Sequence, residues 1–338
     1  MRRTLGRLNG MLRTKPPRLS QIQRALRGQL DDVVGELRRI VLSDFPGIQD
    51  VSDHLLWSRG KLFRPTLLLL SNRVGGTAHP RAVTLAALVE LVHLATLVHD
   101  DAVDHSVLRR GMPTVNALWN HQTAVIMGDY LYSRSVSELA RFGRVDLIEV
   151  LSQAANEMSV GELRQLASHD ALAFTEQDYE RLIASKTASL MSAACEMGAV
   201  VGQPEYRVPL ARYGHALGMA FQIADDLLDY TESESVTGKP SGQDLREHKV
   251  TLPLVQALRV MDAAGRRAVE RFFAEPVATD SGVEQMVTLV AEHGGLDYAR
   301  SRARDFGERA AEALDGLPES DPVAMLRESI DYVIDRRN

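Results

Sequence analysis

Apolar residues recur every three or four positions along much of this chain, the period of a helix that buries one face. The pattern runs through residues 82–104, 122–142 and 210–229. In the last of these segments a single apolar stripe comprises Leu210, Tyr213, Leu217, Phe221, Ala224 and Leu228. Alternating β-branched runs closed by Asn-Gly or Asp-Gly, which are typical of hairpins, are nearly absent. We therefore predict an all-α fold with long core helices.

Glycine and proline mark the predicted connections between these helices. They fall at Pro16-Pro17, Gly75-Gly76, Gly111 to Pro113, Gly202 to Pro209, Gly238 to Gly242 and Gly294-Gly295. The stretch from about 231 to 250 is rich in serine, threonine, glycine and charge, so we interpret it as a mobile flap. No other break in composition divides residues 19–338, and we expect one helical bundle around a central cavity.

The composition is that of a globular protein with a sizeable core. Of 338 residues, 45% are apolar and 25% charged, and the net charge of −6 argues against nucleic acid as a partner. The single cysteine, Cys195, excludes an internal disulfide and suits a reducing compartment, so we expect a cytoplasmic protein.

Residues 1–18 differ from the rest because they carry arginine and lysine but no acidic residue. We interpret them as a flexible basic tail that could touch anionic lipid. No apolar run of secretory length follows, and none approaches the length needed to cross a bilayer. Any membrane contact is therefore expected to be peripheral.

The most informative feature is an acidic pattern that occurs twice within apolar helical stretches. The first acidic cluster is Asp100, Asp101 and Asp104, and the second is Asp225, Asp226 and Asp229. Carboxylates at i, i+1 and i+4 gather on one side of a helix, where they repel each other unless a cation is bound. Oxygen ligands suit Mg²⁺, which shares its remaining positions with water and substrate phosphates. Facing clusters would hold a diphosphate between metal ions.

A solvated helix face is the alternative interpretation of each acidic cluster. It is weakened by the flanks, since Leu97-Val98-His99 and Phe221-Gln222-Ile223-Ala224 are mostly apolar. Both helices should therefore be largely buried, and burying unpaired carboxylates costs several kcal/mol each.

Basic residues suited to phosphate accompany the acidic clusters. They are Lys61, Arg64, Arg109, Arg110, Lys186 and Lys249. Any one alone is most often a surface charge, but an anion bridged by metal needs neutralising from its other side. The first two lie at a predicted helix start, where backbone N–H groups also favour anions. Gly60-Lys61 lacks the upstream glycine and the following Ser or Thr of a nucleotide-binding loop, which excludes a triphosphate site.

Two further polar residues lie on the predicted inner faces. His93 comes two turns before Asp100, roughly 10 Å along the helix axis, and Gln222 comes three positions before Asp225. Each is either a ligand-facing side chain or a hydrogen-bonded core residue, and the spacing alone does not choose between them.

Taken in order, these motifs resemble those of the trans-polyprenyl diphosphate synthases, which condense isopentenyl diphosphate with allylic diphosphates. The similarity spans about residues 45 to 255. The matching segments are Gly60-Lys61-x-x-Arg64-Pro65, His99 to Asp104, Arg109-Arg110-Gly111-x-Pro113-Thr114, Gly161-Glu162-x-x-Gln165, Lys186-Thr187, Phe221 to Asp229, Gly238-Lys239-x-x-Gly242-x-Asp244-Leu245 and Lys249-Val250-Thr251-x-Pro253.

The resemblance implies a role for each matching residue. Three Mg²⁺ ions would bind together with the allylic diphosphate. Their ligands would be Asp100, Asp101, Asp104, Asp225, Asp226, Asp229 and Asp244. The oxygens of that diphosphate would be contacted by Arg109, Lys186 and Lys249. The metal-free diphosphate of isopentenyl diphosphate would be held by Lys61, Arg64, His93 and Arg110. Thr187 and Gln222 would stabilise the allylic cation, and Lys239 would belong, with Asp244, to the closing flap. A homodimer is also implied.

The reaction implied is ionisation of the allylic diphosphate, attack by the alkene on the cation and loss of a proton to diphosphate. Flap closure would exclude water from the cation. In the family, aromatic residues four or five places before the first acidic cluster stop chain growth early. Here those places hold Thr96 and Ala95, so we expect a product longer than twenty carbons. We predict that Ala95→Phe shortens it.

Other classes fit the residues less well. A short-chain geranylgeranyl or farnesyl diphosphate synthase would need a floor supplied by other helices. A class I terpene cyclase would alter the second acidic cluster and has no use for a second diphosphate site. A non-catalytic partner subunit is expected to lose one cluster, and a purely structural helical protein would leave both unexplained. One departure is His248-Lys249, where relatives commonly have Gly-Lys, and another is the bulky pair Leu62-Phe63.

Overall fold

A computed structural model describes residues 18–57, 60–167, 172–231 and 242–335 of the chain. The helices of its first half are α1 (Leu19–Ile22), α2 (Arg27–Val41), α3 (Pro46–Trp57), α4 (Phe63–Asn72), α5 (Ala82–Val103), α6 (Val115–Leu118), α7 (His121–Ala140) and α8 (Val145–Ala167). Those of its second half are α9 (Glu176–Ile183), α10 (Ser189–Val201), α11 (Arg207–Thr231), α12 (Gln243–Arg246), α13 (Leu252–Val260), α14 (Ala263–Ala274), α15 (Asp280–Glu292), α16 (Gly295–Ala313) and α17 (Asp321–Ile334).

The remaining regular elements are short. They are 3₁₀ turns at Gln23–Leu26 and Pro204–Tyr206, a π-helix at Ala184–Ala188, and the strands β1 (Leu108–Arg109) and β2 (Met112–Pro113). The predicted all-α fold is confirmed, and the three periodic segments correspond to α5, α7 and α11. The β1–β2 hairpin, which pairs Leu108 with Pro113, was not expected from the sequence. The predicted basic tail lies outside the described residues apart from its last residue, Arg18, and so do Pro16-Pro17 and Gly238.

Helix α5 forms the centre of the bundle, with α7, α4, α2 and α10 packed around it. Every residue from Leu85 to Val92 is buried, which explains why this helix is apolar on almost all sides. Its length and composition would also allow it to cross a membrane, contrary to the expectation that no such run exists. However, 67% of its most apolar 18-residue stretch is buried inside the fold, as in the core helix of a bundle.

Helix α11 packs against α16 on one side and against α10 and the π-helix on the other. Gly218 makes the second contact possible, because a Cβ at this position would lie 2.5 Å from the Cα of Ala188. Any larger residue would push α11 away from the π-helix. A second, smaller apolar cluster gathers residues of α12 to α15 beside the end of α11. It buries Leu245, so the last part of the predicted flap is anchored to the core.

Candidate active site

The first acidic cluster lies at the carboxyl end of α5. The N–H of Asp104 donates to the carbonyl of Asp100 over 2.8 Å, so these two residues keep helical spacing. Asp101 is buried, and Asp100 is half-buried. The partial negative charge of the helix end adds to their mutual repulsion. Burial raises the pKa of the Asp100 carboxyl to about 6, with a further contribution from Glu162.

The second acidic cluster lies at the corresponding end of α11. Asp226 accepts hydrogen bonds from Gln222 Nε2 at 2.7 Å and from the Tyr179 hydroxyl at 2.5 Å. Asp229 accepts from the backbone N–H groups of Gln243 and Asp244, both at 3.0 Å, and so caps the start of α12. Burial, together with the neighbouring charge of Asp244, holds the pKa of Asp226 well above its usual value.

A short segment after α12 contacts both acidic clusters. Lys249 Nζ lies 3.3 Å from the carboxylate of Asp104, and its backbone N–H donates to the carbonyl of Asp244 over 2.7 Å. Asp244 is in turn bonded through its N–H to Asp229. Burial and the charge of Asp229 raise the pKa of Asp244 to about 7. The two clusters therefore lie at the same end of the bundle, on either side of Lys249.

His248, just before this lysine, has a φ of +53°, in the left-handed region that glycine adopts without cost. Glycine, which the resemblance leads one to expect at this position, would adopt this conformation without strain. The imidazole packs against Phe272 and Phe273, with ring centroids 5.7 and 5.4 Å away. These contacts offset part of the backbone strain.

Two other basic residues face the acidic clusters. Arg109 Nε donates to both carboxylate oxygens of Asp101, at 2.8 and 2.9 Å. Lys186, in the π-helix, pairs with Glu162 and donates to Gln165 Oε1 over 2.9 Å. Lys186 and Arg109 are both close enough to lower the pKa of Asp100 against the effect of burial.

A separate group of basic residues surrounds the start of α4. Arg64 lies in its first turn, after Leu62 in a left-handed conformation with a φ of 52°. The guanidinium of Arg110 rests against Gly60, since a Cβ there would lie 2.7 Å from Nη1. Lys61, next to Gly60, is exposed.

His93 and Glu90 complete the surroundings of this basic group. Burial lowers the pKa of Arg64, and the nearby Arg110 lowers it further while Glu90 opposes the shift. Burial and the same two guanidinium groups hold the pKa of His93 well below its usual value, so the imidazole is neutral. Positive charges this close favour an anion between them.

The hairpin distributes its two arginines between these regions. Arg109 ends β1 and reaches the first acidic cluster, whereas Arg110 turns the chain with a φ of 54° and reaches Gly60. One dipeptide therefore contributes both to the first acidic cluster and to the basic site, the group of basic residues at the start of α4.

A hydrogen-bonded relay links the π-helix to the second acidic cluster. The hydroxyl of Thr187 donates to Gln222 Oε1 over 2.7 Å, and Gln222 donates to Asp226. The π-helix approaches α8 closely at Gly161, where a Cβ would lie 2.8 Å from Ser185 Cβ and 3.0 Å from Lys186 Cγ. The two conspicuous glycines, Gly161 and Gly218, thus hold the π-helix between α8 and α11.

The half-buried side chains near the carboxyl end of α5 mark its less buried face. His93, Thr96, Leu97 and Asp100 fall on one helical stripe, whereas the half-buried His99 faces α7. Ala95, which is 2% exposed, lies roughly 140° around the helix from Asp100. Thr96 thus lies one turn before Asp100 on the same face of α5, and its hydroxyl donates to the carbonyl of His93.

The chemistry of the acidic side chains fits a divalent cation. Carboxylates that are buried at helix carboxyl ends, with pKa values raised by burial and by each other, gain from added positive charge. Within the described ranges, no three acidic, histidine or cysteine side chains converge closely enough to bind one ion by themselves. This arrangement suits Mg²⁺, which binds through one or two carboxylates and completes its shell with water and phosphate.

Comparison with known proteins identifies the family. The profile of the family described as "Polyprenyl synthetase" matches residues 46–290. The all-trans-nonaprenyl-diphosphate synthase (geranyl-diphosphate specific) of Rhodobacter capsulatus is 42% identical over 275 residues, which are 81% of this chain and 84% of that protein. This chain belongs to the polyprenyl synthetase family.

Solved structures of other family members agree with the fold. A decaprenyl diphosphate synthase from Rhodobacter capsulatus superposes with a TM-score of 0.89 at 38% identity, covering 95% of this chain and all (100%) of that one. A polyprenyl synthase from Caulobacter crescentus CB15, complexed with calcium and isoprenyl diphosphate, gives a TM-score of 0.90 at 33% identity, covering 96% and 100%. The expected family, and with it the expectation of a prenyltransferase, is confirmed.

The structure brings most of the residues singled out in the sequence to one end of the bundle. Lys239 lies outside the described residues, so its place in the flap stays a prediction. Tyr179 and Glu90 were missed, because neither belongs to a motif and each meets its partners only through folding. Glu162 stood within a matching motif without a role, and the structure pairs it with Lys186.

Proposed function

We propose that this protein is a long-chain synthase, which adds isopentenyl diphosphate repeatedly to an allylic diphosphate and makes a trans-polyprenyl diphosphate of more than twenty carbons. The observation that carries the proposal is the placement of two acidic clusters on either side of Lys249, beside a separate basic site at the start of α4. The names of the related nonaprenyl and decaprenyl synthases support a long product.

The acidic clusters, with Asp244, are proposed to bind three Mg²⁺ ions together with the allylic diphosphate. Bound Mg²⁺ would supply positive charge that stabilises the departing diphosphate. Arg109 and Lys249 would contact its oxygens, because each already pairs with a carboxylate that the metal would take over. Lys186, which pairs with Glu162, lies close enough to Asp100 to contact the same diphosphate. These side chains would hold the leaving group away from the new cation after the C–O bond breaks.

The second substrate, isopentenyl diphosphate, is proposed to bind at the basic site without metal. Arg64 and Arg110, with Lys61, would neutralise its diphosphate, and the neutral His93 would donate a hydrogen bond. The alkene would then attack the allylic cation near Thr187 and Gln222, and a proton would leave to the released diphosphate. Closure of the predicted flap, residues 231–250, would exclude water.

The growing chain is proposed to extend down α5 from Asp100 past Thr96, on the half-buried stripe. The small side chain of Thr96 leaves room for a long product on this stripe, whereas Ala95 faces the packed side of α5. A short-chain synthase is less favoured, since the related enzymes named above make long chains. A class I terpene cyclase is disfavoured because the second acidic cluster is intact and the basic site is present.

The assay is direct. Purified protein is incubated with labelled isopentenyl diphosphate, a series of allylic primers and Mg²⁺, and the dephosphorylated alcohols are sized by chromatography. We expect products beyond twenty carbons, loss of activity with EDTA and recovery with added Mg²⁺.

Asp100→Asn should lose at least about a hundredfold in kcat, roughly 2.7 kcal/mol in the barrier. The matched control Asp297→Asn changes an 87% exposed carboxylate on α16 and should leave kcat unchanged. Incorporation of label into a cyclic hydrocarbon, or no incorporation with any primer, would refute the proposal.

We also propose that the enzyme works in the cytoplasm as a homodimer, with only peripheral membrane contact. A face of α7 and α8 supports the dimer, because it exposes apolar side chains to solvent. These are Val125, Ile126, Val136, Val160 and Leu163. Apolar residues grouped in this way are typical of protein interfaces.

A further inference from the structure

Tyr179 lies at the outer end of the relay that joins Thr187, Gln222 and Asp226. It belongs to α9 and is 1% exposed, so its hydroxyl has no access to solvent. That hydroxyl donates to Asp226 Oδ2 at 2.5 Å, while Gln222 donates to Oδ1 of the same carboxylate. Both oxygens of Asp226 are therefore held by donors, one from α9 and one from the preceding turn of α11.

Chemistry fixes the direction of every bond in this relay. An ionised Asp226 only accepts, so Gln222 must turn its NH₂ group towards it and its carbonyl oxygen towards Thr187. Thr187 then donates its one hydroxyl proton to Gln222. Towards any other group that approaches, its oxygen therefore presents a lone pair and no proton.

The direction follows from the role of Asp226, because a carboxylate that binds metal offers only lone pairs to its neighbours. The Tyr179 hydroxyl and Gln222 Nε2 each donate to a different oxygen of this carboxylate, so its plane is fixed from both sides. Without Tyr179, only Gln222 would hold the carboxylate, which could then turn and release the amide.

Resting on the proposed function, we propose that Tyr179 is a positioning residue for the second acidic cluster and for Thr187. Its hydroxyl orients Asp226 as a metal ligand. Through Gln222 it also sets the direction of the Thr187 hydroxyl, so that an oxygen lone pair faces the allylic cation. Tyr179 touches neither substrate.

The test removes one oxygen atom. Tyr179→Phe keeps the buried ring, and Tyr213→Phe is the matched control, because Tyr213 is equally buried but donates to the carbonyl of Leu326 away from the site. We expect Tyr179→Phe to lower kcat about tenfold, the effect of a lost hydrogen bond to a charged group. The Mg²⁺ concentration for half-maximal activity should rise at least about threefold. KM for isopentenyl diphosphate should stay within about twofold, since that substrate binds elsewhere.

A double-mutant cycle tests the relay itself. Thr187→Val removes the last hydroxyl, and its effect on kcat should be at least about fivefold smaller in the Tyr179→Phe background than in the wild type. Fully additive effects would show that Tyr179 does not act through Thr187 and would overturn that part of the proposal.

A binding measurement separates this inference from the proposed function. Mg²⁺ with inorganic diphosphate should raise the Tm of the wild type and of Tyr213→Phe, and should raise that of Tyr179→Phe distinctly less. If the wild type transfers no prenyl group but this pattern holds, the function fails and the positioning of Asp226 stands. If Tyr179→Phe matches Tyr213→Phe in kcat, Mg²⁺ dependence and Tm shift, Tyr179 has no such role. An absent Tm shift in an inactive wild type would overturn both.

Discussion

Asp244 lies between Asp229 and Lys249 in the segment that joins the two acidic clusters. Its folded pKa of about 7 exceeds the ordinary value of 3.8, so the metal-free folded protein binds this proton more tightly than the unfolded chain. Linkage then requires that its contribution to stability is fully present below about pH 4 and is lost as pH rises through 7.

Asp244→Asn should therefore change stability in a pH-dependent way. At pH 5 the folded wild type still holds the Asp244 proton while the unfolded chain has mostly lost it, so part of the variant's advantage in EDTA is already present. Between pH 5 and pH 8 that advantage should grow by roughly 2 to 3 kcal/mol, because the wild type must then bury a charge. Urea unfolding at both pH values measures the difference. Asp297→Asn, at an exposed site, is the control. A variant equally stable relative to wild type at both pH values would contradict the burial of this charge.

Thr96 and Ala95 differ in which way they face. Thr96→Phe should place a ring on the half-buried stripe below the first acidic cluster, in the proposed path of the growing chain, and shift the product to shorter chains with little change in stability. Ala95→Phe, which we also predict to shorten the product, must fit a ring on a fully packed side and should cost about 1 to 3 kcal/mol. Product sizing together with urea unfolding separates the two. Unchanged chain length in Thr96→Phe would place the growing tail elsewhere.

At the scale of elements, the π-helix depends on the close approach of α8. Gly161→Ala would bring a methyl group within 2.8 Å of Ser185 and displace the turn that carries Lys186 and Thr187. We expect kcat to fall at least about tenfold, because a small misplacement of a catalytic group is costly. Steady-state kinetics measure the loss.

The control for this substitution is Gly35→Ala in α2, where a Cβ meets nothing within 4 Å. It should keep full activity and gain about 0.5 to 1 kcal/mol in stability, since alanine is the better helix former. If Gly161→Ala behaved like Gly35→Ala, the packing of α8 would have no bearing on the site.

The long helices could be predicted from the sequence because their apolar stripes follow directly from burial of one face. The acidic clusters could be placed on helices for the same reason. The π-helix at Ala184–Ala188 could not, since nothing in Ala-Ser-Lys-Thr-Ala distinguishes an extra residue per turn. Arg110 and His248 adopt left-handed conformations that glycine would have signalled. Tyr179 reaches Asp226 across 47 positions of the chain, a distance over which local patterns carry no information.

At the scale of the whole molecule, the exposed apolar face of α7 and α8 bears on assembly. The chain has a mass of 37.3 kDa, and sedimentation should give twice that value. Ile126→Glu puts a charge where the side chain is 64% exposed and should dissociate the dimer. Val208→Glu is the matched control, because Val208 is 57% exposed on α11, outside that face. Two variants that sediment alike would place the interface elsewhere.

The adjacent arginines of the hairpin have one more consequence for the proposed reaction. Arg109 is proposed to bind the allylic diphosphate and Arg110 to bind isopentenyl diphosphate. Since the two residues are consecutive, their α-carbons lie about 3.8 Å apart. Any movement of the hairpin would therefore displace both arginines together. Because neighbouring residues contribute to both diphosphate sites, we expect the spacing of the two sites to stay the same in every round of elongation, however long the tail has become.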